Sequence, residues 1–142
     1  EHPAPDRQPP AGPSVYAHSP GVDMPSGPLG IGLAAAQGMA IGLKLNHSDA
    51  RVYAVLGDGE LDEGAVWEAA ASAVKFGLDN LTAIVDWNKV QLDGTTDEIM
   101  PLRDLPGKWQ AFGWNVLRCD GTISRRSMPR SMRLWPARAY RL

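Results

Sequence analysis

Asp58, flanked by Gly57 and Gly59, and Asn88, thirty residues further on, are the residues of this 142-residue chain best suited to a shared task. The Asp58 carboxylate, the Asn88 side-chain oxygen and the backbone carbonyl of Val90 are hard oxygen donors. Magnesium prefers such donors and completes its octahedron with phosphate oxygens and water. Glycine on both sides of Asp58 lets the backbone turn sharply, and it is expected to leave the Gly59 amide free to face an anion. Taken alone, Gly-Asp-Gly is an ordinary turn. With Asn88 at this distance and Asp93-Gly94 behind it, a joint site for a metal and a phosphate is the stronger reading.

Such a site needs two loops held side by side, and the flanking sequence supplies elements that would do so. Arg51 to Leu56 is a short β-branched and apolar run ending in glycine, and Leu81 to Asp86 is a second; both read as buried strands. Between them, Glu63 to Phe76 reads as a helix, with Asp62 and Glu63 in its first turn and Gly77 and Asp79-Asn80 closing it. Upstream, Leu29 to Leu45 is rich in small and apolar residues and reads as a helix packed on both faces, with Asn46 and His47 as stop signals. A helical turn around Lys108 to Phe112 and a third strand, Trp114 to Arg118, follow. Strand, helix, strand is the pattern of an α/β fold, a parallel sheet with crossover helices. A crossover of this length brings the carboxyl ends of both strands, and with them Asp58 and Asn88, to the sheet edge where open α/β folds bind ligands.

Composition bounds the rest. A chain of this length suits one domain with a real core and is small for a complete multi-step enzyme. One cysteine, Cys119, excludes an internal disulfide, no Cys/His cluster resembles a zinc site, and a cytoplasmic setting is the default. Nothing at the start resembles a signal peptide, and the opening Glu1 suggests a trimmed or partial product. The longest apolar stretch, Pro28 to Leu43, is shorter than the roughly 20 residues a membrane helix needs.

Organisation along the chain is uneven. Residues 1–28 hold eight of the twelve prolines, and residues 1–19 read as an irregular segment. Residues 20–121 read as the folded domain, and residues 122–142 as a separate tail. Residues 1–120 hold eight Lys/Arg and all sixteen Asp/Glu, whereas residues 121–142 hold six arginines and no acid. The net charge of −2 is thus the sum of two unlike parts.

The run Gly57-Asp58-Gly59-Glu60-Leu61-Asp62-Glu63-Gly64, answered by Asp86-Trp87-Asn88-Lys89-Val90-Gln91-Leu92-Asp93-Gly94, resembles the thiamine diphosphate motif of transketolases. Ser26-Gly27-Pro28-Leu29-Gly30 and Lys108-Trp109-Gln110-Ala111-Phe112-Gly113-Trp114 resemble transketolase segments too. The match spans about residues 20–121 and is closest to the N-terminal section of transketolases whose halves can be separate polypeptides. The resemblance implies an incomplete thiamine diphosphate-binding fold, in which Asp58, Asn88 and the Val90 carbonyl hold magnesium and Gly57 and Gly59 meet the diphosphate. Gly27 and Leu29 match positions lining the aminopyrimidine and thiazolium end, and Leu92 matches an apolar position packing on the cofactor. Glu63 matches an acid linking two active sites across a dimer interface; as a plain reading it is a helix N-terminal acid. His2 would stand for a substrate histidine, although Glu1-His2-Pro3 lies farther from Gly21 than the family's spacing, and His18 is nearer without the motif. Lys89 replaces a common glycine and Trp87 a common polar residue.

By the same resemblance, a two-carbon ketol unit passes from a ketose phosphate to an aldose phosphate. The cofactor is activated by a glutamate on a second domain that a C-terminal partner section would supply. The expected protein is therefore an oligomer of like or unlike chains, inactive alone. Two alternatives stay open: the first component of a 2-oxoacid dehydrogenase, and a truncated non-catalytic product that keeps the cofactor motif.

After Gly121 the family-like sequence stops. Clustered arginines attract phosphates, which is the case for a nucleic-acid or membrane-surface arm. The more economical reading is a change of reading frame in the gene, because the stretch from Thr122 can be written in codons that, shifted by one base, spell a helical continuation. Neither nucleic acid nor membrane is therefore expected as a partner. A chain ending this way would leave apolar sheet surface uncovered and be weakly stable or prone to associate.

Overall fold

The computed structural model of the chain describes residues 21–91 and 93–119. His2, His18, Leu92 and the basic tail lie outside the described residues. Helix α1 (Ile31–Leu45) leads into strand β1 (Val52–Gly57), a 3-10 turn (Gly59–Asp62), helix α2 (Gly64–Lys75) and strand β2 (Leu81–Asp86). A short hairpin, β3 (Val90–Gln91) and β4 (Gly94–Thr95), is followed by helix α3 (Thr96–Ile99) and helix α4 (Leu105–Ala111).

Periodicity explains which faces meet. On α1, Leu33, Ala36 and Ala40 are buried, and on α2 so are Val66, Ala69, Ala70 and Ala73. These fall at three- and four-residue spacings, one stripe per helix. Alanines in both stripes let the two helices lie close against each other, and α1 in turn lies against β1 and β2. In β1, Ala54 and Leu56 point into this layer while Tyr53 and Val55 face outward, the alternation of a pleated strand. β1 and β2 pair in parallel from Val52 opposite Leu81 to Gly57 opposite Asp86. The last pair in the register therefore places the two loops next to each other. Parallel sheets are normally covered on both faces, whereas here Val55 is 73% exposed and Tyr53 58%.

Side-chain ties fix the connections. Lys44 Nζ reaches from the end of α1 to the Gly77 carbonyl and to Asp79 Oδ1, both at 2.7 Å. Asn80 Nδ2 donates to the Ala40 carbonyl at 2.9 Å. The turn that starts β2 is thereby bound to α1 before the sheet is reached.

The expected third strand does not form: residues 114–119 make no ladder, and the parallel sheet has two strands among the described residues. Trp114 is drawn to α2 instead. Its indole N–H donates to the Ala70 carbonyl at 3.0 Å and its ring meets Trp109 edge-on at 5.1 Å between centroids. Gly113, with φ of 92°, supplies the sharp change of direction after α4. An apolar run signals burial, and here burial comes from indole packing rather than strand pairing. Other boundaries move less. α1 begins at Ile31, after the left-handed Gly30, and α2 begins at Gly64, so that Asp62 lies in the 3-10 turn and Glu63 is the N-cap.

Candidate functional site

Three segments converge at the carboxyl edge of the sheet, joined by the buried Asp58 and the half-buried Glu60. Asp58 is 2% exposed. Its Oδ1 accepts from the Gly59 amide at 2.9 Å, and its Oδ2 accepts from the Lys89 amide at 2.7 Å across 31 residues of sequence. One carboxylate thus clamps the loop after β1 to the loop after β2. The Gly59 amide, expected free for an anion, is already held by Asp58.

The second loop is built around Asn88. Its Oδ1 accepts from the Val90 amide at 2.8 Å, an Asx turn that folds the chain back after β2, and its Nδ2 donates to Asp86 Oδ2 at 3.3 Å. Lys89 between them has φ of 66°, a left-handed conformation that costs a residue with a Cβ. Glycine would adopt this conformation without that cost. Val90 and Asn88 are both exposed, whereas Asp58 is buried.

The third segment is Ser26 to Gly32. The Gly30 amide donates to Glu60 Oε1 at 2.9 Å, tying this loop to the 3-10 turn. A Cβ on Gly30 would lie 2.7 Å from Glu63 Cβ, and Gly30 has φ of 83°, so both space and backbone demand glycine there. Gly27 and Leu29 are exposed beside it, Leu29 at 59%. Glu63 is exposed, and as N-cap of α2 its side chain makes no capping hydrogen bond. Its place at the N-terminus of α2 is still the one the macrodipole favours for an acid, without a hydrogen bond.

Two features of this edge escape a reading of the sequence. Glu60 carries the contact to Gly30, and only the fold brings them together. The β3–β4 hairpin and α3 are likewise unexpected. Thr95 Oγ1 accepts from the Glu98 amide at 3.3 Å and donates to Glu98 Oε2 at 2.7 Å, while the Thr95 amide also reaches Glu98. The Thr-x-x-Glu spacing of this capping box is the signal in the sequence that could have found them. The Glu98 carboxyl is held below its ordinary range by the hydrogen bond from Thr95.

The donor set suits a hard cation with an attached anion. Each oxygen of Asp58 and the oxygen of Asn88 accepts one hydrogen bond and keeps a second lone pair. Among the described residues no group of three or more His, Cys, Asp or Glu side chains could hold a metal. One carboxylate, one amide oxygen and one carbonyl would leave places around a hard cation for phosphate and water. A groove of about 960 Å3 between residues 21–26, α1 and β1 borders this edge at Ser26 and Gly32, and neither the Asp58 loop nor the Asn88 loop lines it.

Residues 7–133 match the family model described as the transketolase, thiamine diphosphate binding domain. The chain belongs to the transketolase family. The matched range begins before residue 20 and runs beyond Gly121, where the motif-based resemblance ends. Over 101 residues, 71% of the chain, it is 50% identical to the 6-deoxy-6-sulfo-D-fructose transketolase subunit of Clostridium sp. (strain MSTE9). Over 102 residues, 72% of the chain, it is 44% identical to an apulose-4-phosphate transketolase subunit of Phocaeicola vulgatus. The chain spans 37% and 36% of the length of these two relatives. It also resembles the solved transketolase of Campylobacter jejuni, with a TM-score of 0.64 and 33% identity over 68% of this chain and 16% of that one. The Leishmania mexicana transketolase gives a TM-score of 0.61 at 34% identity, covering 70% of this chain and 16% of that one. The transketolase fold is thus present in part, a mixed α/β unit with a small parallel sheet. Among the described residues of this transketolase section, no helix is long and apolar enough to cross a membrane.

Proposed function

We propose that the chain is the diphosphate-and-magnesium half of a transketolase site, completed by a C-terminal partner section that supplies the activating glutamate. The observation that carries this reading is the Asp58 carboxylate, buried and bonded to amides of both loops, one of them the amide of Lys89 between Asn88 and Val90. In this reading Asp58, Asn88 and Val90 hold magnesium, and Gly57 and Gly59 allow the diphosphate to approach the backbone. Gly27, Leu29 and Leu92 line the rest of the cofactor, which when bound supplies the nucleophilic carbon for carbon–carbon bond exchange next to a carbonyl. The chain's own residues bind and orient. Asp58 stays buried and fixed, so the two loops are already in register before a ligand arrives, and little ordering remains to oppose binding.

The names of the relatives support a reading of the partner and substrate class. Both relatives are transketolase subunits by name, of enzymes acting on a sulfosugar and on a sugar phosphate. These names support a second subunit for this chain, and with it a ketol transfer between sugars bearing an anionic end group. Glu63 would then face the neighbouring subunit, a role open to it because its carboxylate caps nothing in its own helix. His2 is carried as a substrate ligand on resemblance alone. A cytoplasmic setting accords with the single cysteine.

The test is reconstitution. The chain, a candidate C-terminal subunit, thiamine diphosphate and magnesium are supplied with xylulose 5-phosphate and ribose 5-phosphate, and in parallel with 6-deoxy-6-sulfo-D-fructose, apulose 4-phosphate or pyruvate. Ketol transfer is the expected result. Turnover of pyruvate alone would move the assignment to a 2-oxoacid dehydrogenase, and silence with every partner would favour a non-catalytic fragment.

A further inference from the structure

Gln91 stands at the centre of the site edge and has no part in the reading above. It lies in β3, opposite Gly94 of β4, so the two-residue ladder fixes its backbone. The hairpin is braced further by the Thr96 amide, which donates to the Lys89 carbonyl at 3.1 Å, and Lys89 is itself bonded to Asp58. Gln91 is thus carried on the same rigid path that joins the two loops.

Its side chain lies across Gly59. A Cβ on Gly59 would come within 2.9 Å of Gln91 Cβ and 3.2 Å of Gln91 Oε1. The need for glycine at this position is therefore imposed by Gln91 packing on it, since Gly59 has no left-handed backbone to demand it. The side-chain nitrogen, Nε2, is buried and has no hydrogen-bond partner. Buried amide donors are rarely left so, and a residue needed only for packing would fill this place without one.

We infer that Gln91 is a positioning residue for the diphosphate: its side chain sets the approach to Gly59, and its amide nitrogen donates to a diphosphate oxygen of the bound cofactor. This rests on the proposed site. With the Gly59 amide bonded to Asp58, Gln91 Nε2 offers this loop a donor that serves no other group; Oε1 of the same amide lies nearer Gly59, so the donation uses the amide turned over.

The experiment titrates the full chain with thiamine diphosphate and magnesium by calorimetry, alongside Gln91→Met, which keeps length without an amide, and Gln91→Glu, which replaces the donor by a negative charge. Gln91→Met should bind about tenfold more weakly with unchanged circular dichroism, and Gln91→Glu more weakly still. In the unsubstituted chain the Gln91 side-chain amide resonances should shift on saturation. If the chain binds and both variants bind equally well, the role of Gln91 falls while the site stands. If the variants do not fold, unmoved Gln91 amide resonances in the saturated chain overturn the inference. Absence of binding by the unsubstituted chain removes the inference together with the site it rests on.

Discussion

Asp58 Oδ2 lies 2.7 Å from the amide nitrogen of Lys89, and through this one bond the loop after β1 and the loop after β2 become a single structure. A residue chosen by its chemistry as a metal ligand is at the same time the clamp that builds the place where it would act.

Removing that carboxylate should therefore cost stability as well as binding. Asp58→Ala leaves the Lys89 and Gly59 amides without their acceptor, a loss of about 2 kcal/mol, readable as a lower midpoint in urea at constant slope. Asp58→Asn keeps the volume and should retain part of the stability while magnesium-dependent binding is lost. Equal binding by Asp58→Asn and the unsubstituted chain would exclude a ligand role.

Lys89 holds a left-handed backbone at φ of 66° without glycine's freedom. Lys89→Gly should relieve about 1 kcal/mol of strain, offset in part by the larger entropy of the unfolded chain. A small rise in thermal midpoint is expected, with the Asp58 bond kept because it uses the backbone amide. A clear fall in midpoint would show that the lysine side chain, whose ammonium lies 5.9 Å from the centroid of the Trp87 ring, matters more than the strain.

Gly30 is confined twice, by its φ of 83° and by Glu63 Cβ at 2.7 Å from where its own Cβ would stand. Gly30→Ala should destabilise by about 2 kcal/mol or more. Adding Glu63→Gly removes the clash and leaves the backbone strain, so the double variant should recover part of the loss. Full additivity of the two changes in a double-mutant cycle would mean that the two residues do not press on each other.

Acid should loosen the junction of α1 with β2. The hydrogen bond from Lys44 Nζ, more than simple charge attraction, holds the Asp79 carboxyl below its ordinary value of 3.8. A carboxyl depressed in the folded state contributes stability above its unfolded value, and that contribution is lost as pH falls through the lower folded one. Both side chains are well exposed, 41% for Lys44 and 46% for Asp79, so the effect is small and shrinks with salt. Asp79→Asn should flatten the acid limb of a stability–pH curve below about pH 4, and an unchanged limb would assign the acid sensitivity elsewhere.

Much of the site is legible before any fold is known, because it depends on residue type and on a crossover's length. Gly57-Asp58-Gly59 and Asn88 carry oxygen donors and turn-forming glycines. Two apolar runs flanking a helical stretch are enough to say that their ends share one sheet edge, and β1 and β2 do pair in parallel with those ends opposite each other. The capping box of Thr95 and Glu98 is equally readable.

Contacts between segments distant in sequence are not. The hold of Asp58 on Lys89, the bond from Gly30 to Glu60 and the packing of Gln91 on Gly59 each join groups whose separation no local pattern encodes. The same holds for Trp114, whose apolar neighbours suggest a strand. Burial can be satisfied by a ladder or by an indole seated on a helix, and only the positions of Ala70 and Trp109 chose the second. Sequence by itself determined the chemistry available and the order of elements, since both follow from side chains and local backbone preference. Tertiary structure decided which amides that chemistry is already bonded to, because a hydrogen bond has a range of about 3 Å and only the folded chain brings its ends that close.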